Sequence, residues 1–188
     1  MARILTTLAS LSIMLLVAAM VLGLSIGDLY EQPYPSDETS RWKSIHFLTG
    51  VAAALMVVFV ESVIVTYFIG TSRWCREVVE TYRFDPVIVR NSNRLKRRTF
   101  PWALAGMLAV VGIIALGGAA DPSTGRPDTA AWVNWHLAGA MSGIALIAWT
   151  YIAAWNNILA QHAIIQDLVA QVAEVRKKQG LNTEVRGE

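Results

Sequence analysis

Four long apolar runs, at residues 4–26, 45–70, 102–120 and about 131–154, constrain this chain more than anything else in it. Each is close to or above the roughly 20 residues that a membrane-crossing helix needs. The first and third contain no ionisable residue. A water-soluble bundle would place polar residues along one face of every helix. Composition agrees: 54% of residues are hydrophobic and the mean hydropathy is +0.43, against about 45–50% apolar for a soluble domain. The sequence predicts an all-α integral membrane four-helix bundle.

The charges lie between the runs. Lys and Arg number one before the first run, two between the first and second, eight between the second and third, one between the third and fourth, and four after the fourth. The positive-inside rule then puts both termini and the middle connection in the cytoplasm. Segments 28–44 and 121–129 become outer loops, in a multi-pass protein of the inner (plasma) membrane. Basic residues beside membrane helices set topology and meet anionic lipid, so the expected contact is the bilayer and not nucleic acid. The one cysteine, Cys75, allows no disulfide within the chain. With no CxxCH motif, covalent c-type haem is excluded. The first run has a poor cleavage site at Gly23-Leu24-Ser25 and is expected to be a retained helix rather than a signal peptide.

The chain reads as a single membrane domain, 1–188, with two additions. A basic cytoplasmic connection covers 71–100, and a cytoplasmic helical extension covers 156–180. The second helix is expected to start near Trp42, capped by Ser40 or Ser44, and to overrun the membrane to about Tyr82. Asp85-Pro86 suits the start of a short basic helix over 87–98, after which Thr99-Phe100-Pro101 restarts the chain into the third span. The fourth helix also overruns. Its stripe of Ile164, Ile165, Leu168, Val169, Val172 and Val175 needs a partner, either the second helix around Val78, Val79 and Tyr82 or another subunit.

Two Trp-x-x-x-His segments stand 90 residues apart, Trp42…His46 and Trp132…His136. Each opens an apolar run and follows another run closed by Gly and Asp. The pattern predicts two similar transmembrane hairpins related by a pseudo-two-fold axis along the membrane normal. His46 and His136 then lie at equal depth near the outer surface. On their helical faces stand Gly50 and Ala54, and Gly139, Ala140 and Gly143. Small residues serve close helix packing, or they make room for a flat cofactor. In the second reading His46 and His136 are the metal ligands of one b-type haem between the second and fourth helices. Gly50 and Gly139 line it, and Arg41 or Lys43 stands near its propionates. Copper or zinc would require a third ligand.

Glu61 is the acidic residue inside a span, about 22 Å further along the helix than His46 at 1.5 Å per residue. By the 90-residue offset its counterpart is Tyr151, and a hydrogen bond between the two is expected. Such an acid marks either function or a neutral, bonded group that fixes helix register. The sequence has no Gly-rich phosphate loop, Ser-His-Asp set or HExxH motif, so it gives no support for a soluble-type hydrolase or nucleotide enzyme. Four spans with histidines at one membrane side resemble the membrane-anchor b-type cytochromes, a likeness of architecture carried by His46 and His136. It implies an electron-transfer or anchor subunit working as a homo-oligomer or with other membrane subunits. Two alternatives stay open: a non-catalytic membrane scaffold, and a small proton-coupled transporter using Glu61.

Overall fold

The computed structural model describes residues 2–30 and 36–180. Residues 31–35 of the first hairpin loop and the segment from 181 onward lie outside it. The described residues are almost all helical and contain no strand. Its four long helices are α1 (Ala2–Leu24), α2 (Asp37–Tyr82), α3 (Val87–Ala120) and α4 (Thr129–Lys178), with a 3₁₀ turn at Pro122–Thr124. All four are long and apolar enough to cross a membrane.

The helices pack in a ring in chain order, α1 against α2, α2 against α3, α3 against α4, and α4 back against α1. α2 and α4 face each other across the diagonal. The core is a continuous stack of Leu16, Ala53, Val57, Val60, Ile64, Phe68, Val110, Ile147 and Ile158. Leu48, Leu55, Leu104, Leu108, Trp135 and Met141 point outward and are well exposed. Such an apolar exterior is what lipid contact demands.

Two boundaries differ from the sequence reading, each for a local reason. α2 begins at Asp37, one turn before Trp42, because Ser36 caps it: the Thr39 N–H donates to Ser36 Oγ at 3.1 Å. The expected caps are inside the helix, where Ser44 donates to the Ser40 carbonyl. The short basic helix and the third span are one helix, because α3 runs through Pro101 without a break. A membrane-type helix tolerates the missing N–H when its neighbours hold the segment. Here Thr99, two residues earlier, donates to the Leu95 carbonyl and accepts from Asn157 Nδ2 of α4 at 3.0 Å.

The 71–100 connection is therefore a helical hairpin turning at Arg83–Pro86. Arg83 closes α2 in the left-handed conformation, with φ of 55°, and the Asp85 carboxylate accepts from the Val87 N–H to start α3. Cys75 and Val79 of α2 pack with Leu168 of α4 in a second core, flanked by Phe84, Ile88, Val89, Ile164 and Ile165. Ile164, Ile165 and Leu168 of the α4 stripe are thus met within the chain, by α2 and the start of α3, while Val169 is exposed. Burial pushes the Cys75 thiol up from its ordinary range, so it is not the reactive thiolate form.

Candidate functional site

His46 of α2 and His136 of α4 come together at the hairpin-loop end of the bundle. Their ring centroids are 6.2 Å apart and their planes stand at 78°. Each ring lies in a notch on the helix that precedes it. A Cβ on Gly23 of α1 would stand 2.9 Å from His46 Cε1, and one on Gly117 of α3 would stand 3.1 Å from His136 Cε1. Both glycines are there because the imidazole occupies the space a methyl group would take.

His46 Nδ1 lies 2.8 Å from the Ala19 carbonyl, one turn before Gly23. A carbonyl can only accept, so Nδ1 carries the proton of this bond, which fixes the ring's orientation. His136 Nδ1 is buried without a hydrogen bond. The nearby acceptor is the Ile113 carbonyl, one turn before Gly117, but the contact falls outside good bonding geometry.

Above the rings, on the loop side, a clasp joins two hairpins. Lys43, one turn before His46, donates to Asp121 Oδ1 at 2.6 Å and to Ser123 Oγ at 3.2 Å. Asp121 also accepts from the Ser123 N–H and hydroxyl. Burial works against the Asp121 charge, but Lys43 and Ser123 outweigh it and hold the carboxyl below its ordinary range. Tyr30 reaches the same end, its hydroxyl donating to the Ala120 carbonyl.

The other sequence-selected residues divide. Gly50 has open space where a Cβ would point. Gly139 instead faces α3, where its Cβ would run into Leu116, and Gly143 would likewise meet Ile113 Cδ1. That strip is the close seam between α3 and α4 and does not line the histidine pair. Arg41 is exposed on the first turns of α2, while Lys43 is engaged by Asp121. Glu61 and Tyr151 are both buried but do not bond to each other. Glu61 Oε1 meets Thr150 Oγ1 at 2.6 Å, and Tyr151 pairs with Ser12 of α1 at 2.9 Å. Gly23, Gly117 and Ala19 were not evident from periodicity as parts of the histidine site. The available signal was a glycine near the end of the apolar run before each histidine.

No group of three His, Cys, Asp or Glu capable of holding a metal occurs among the described residues. Two ligands are too few for a tetrahedral site, whereas a haem brings four of its own. Two imidazoles with centroids 6.2 Å apart match a haem iron in the number of ligands it would need from the protein. No protein-family model, curated protein or solved structure matches the chain.

Proposed function

We propose that the chain is a membrane-embedded electron-transfer or anchor subunit that holds one b-type haem through His46 and His136. The observation that carries this reading is the meeting of two imidazoles from diagonal helices at 6.2 Å, each seated on a glycine. The haem would supply one-electron transfer. The chain's own residues do the rest. The Ala19 carbonyl orients His46, Gly23 and Gly117 leave room for the Cε1 atoms of the two rings, and the Lys43–Asp121 clasp closes the loop end. Beneath, Ala53, Ala54, Val57 and Ile147 exclude water.

The two-hairpin reading gains support from burial. At an offset of 90, the buried residues Thr39, Ala53, Val57, Val60, Glu61, Ile64 and Phe68 of α2 correspond to Thr129, Gly143, Ile147, Thr150, Tyr151, Ala154 and Ile158 of α4, all buried. At an offset of 94, Leu5, Ser12 and Leu16 of α1 correspond to Thr99, Gly106 and Val110 of α3. Gly23 corresponds to Gly117, and Ala19 to Ile113. Asp28 and Asp121 each accept from the N–H two residues on. Contacts repeat as well: Ser12 touches Tyr151 as Gly106 touches Glu61. In this reading the bundle crosses the plasma membrane with both termini cytoplasmic, and it works with further subunits or copies of itself.

The test is the absorption spectrum of protein purified from a haem-replete host, with and without dithionite. A Soret band with sharp reduced α and β bands, lost in His46→Ala and in His136→Ala, is the expected result. A colourless, well-folded protein sinks the proposal and favours the scaffold reading, in which the ring pair is a packing contact like the α3–α4 glycine seam.

A further inference from the structure

At mid-bundle, independent of any haem, Glu61 meets α3 and α4 in a place with no room to spare. Its side chain is 1% exposed. A Cβ on Gly106 would press into the carboxyl group and come within 3.2 Å of Thr150 Oγ1. Gly106 is therefore the notch that admits this carboxyl between α2, α3 and α4.

Thr150 Oγ1 lies 2.6 Å from Glu61 Oε1 and 2.7 Å from the carbonyl oxygen of Ile147, both ordinary lengths for an O–H···O bond. A threonine hydroxyl has one proton to give and two lone pairs to receive with. The Ile147 carbonyl can only accept. One hydroxyl proton serves both acceptors only as a bent three-centre bond. A protonated Glu61 supplies the second proton and makes both bonds two-centre.

We infer that Glu61 is a proton-binding site: its carboxyl carries a proton and donates it to Thr150, which donates in turn to Ile147. The acid is then neutral in an apolar core, where an isolated carboxylate is costly. Glu61 Oε2, buried without a partner, is the carbonyl oxygen of this acid rather than half of an exposed charge. The titratable group beside it is Tyr151 of α4, whose hydroxyl is engaged by Ser12 of α1, and α3 presents Gly106. Release of the proton leaves two acceptors facing one hydroxyl. Thr150 then donates to the carboxylate and gives up the Ile147 carbonyl of its own helix, so the α2–α4 bond reverses direction, and a negative charge is left against the backbone of α3. The ligand of this site is the proton, and its occupancy sets the direction of the bond between α2 and α4.

Infrared spectroscopy of the purified full chain in lipid discs at neutral pH tests this directly. The wild type is expected to show a carboxylic-acid carbonyl band that moves when glutamate is carbon-13 labelled and shifts in heavy water. It is lost in Glu61→Gln and rises in wavenumber in Thr150→Val, where the acceptor is gone. The labelled wild type answers the protonation question even if Glu61→Gln fails to fold. Absence of an acid band in the wild type, or a band unchanged by Glu61→Gln, overturns the assignment. A band unmoved in Thr150→Val overturns the donor bond. None of these outcomes depends on haem content.

Discussion

At the scale of single residues, two glycines carry more of the site than their size suggests. Gly23 and Gly117 each give an imidazole the space a methyl group would fill, so Gly→Ala there forces ring or helix to move. Overpacking of this kind costs about 1–3 kcal/mol. We expect Gly23→Ala and Gly117→Ala to lower thermal stability and to weaken haem retention during purification. Gly50→Ala, with open space at its Cβ, should change stability little, which a thermal melt of the three variants compares directly. The histidines were legible in the sequence because both sit at a fixed offset and open an apolar run. The glycines beneath them were not, because a contact between helices leaves no period in either one. Gly139 shows a further limit: it and His136 both meet α3, but Gly139 packs against Leu116 and the ring against Gly117, a difference that a 100° step does not resolve.

At the scale of elements, the two ends of the bundle are held differently. The connection end has an apolar knot of Cys75, Val79 and Leu168, all buried. Leu168→Ala should cost about 2–5 kcal/mol through the cavity it leaves, read as a lower unfolding midpoint in the same detergent. The loop end has the Lys43–Asp121 clasp, whose partners are 29% and 28% exposed. A pair this exposed contributes about 1 kcal/mol at most. Asp121 titrates below its ordinary range when folded, so its contribution is present above about pH 3.9, the unfolded value, and is lost as pH falls through the folded value. The stability gap between wild type and Asp121→Asn should therefore be open at pH 7 and narrow towards pH 3. Charge spacing predicted where these elements overrun the apolar runs, because both periodicity and hydropathy mark that change. It did not predict that α3 passes through Pro101, since tolerance of a proline depends on Thr99, Asn157 and neighbouring helices rather than on the proline itself.

At the scale of the whole molecule, two hairpins meet so that α2 and α4 oppose across the diagonal, and the equal depth of His46 and His136 follows. The offset of 90 was legible from the two Trp-x-x-x-His segments, whereas the offset of 94 between α1 and α3 emerges from their buried positions. In the proposed two-hairpin reading the two equivalent mid-bundle contacts differ. Ser12 of α1 pairs with Tyr151 of α4, whereas Gly106 of α3 makes room for the Glu61 acid of α2.

The most direct test of the histidine site is the haem-to-protein ratio of the purified chain, read together with the spin state of the iron. The account predicts one haem per chain with a low-spin, six-coordinate spectrum, converted to high spin or lost when either His46 or His136 is replaced by alanine. A folded wild-type chain without haem, or with haem whose spectrum is indifferent to both substitutions, would contradict it.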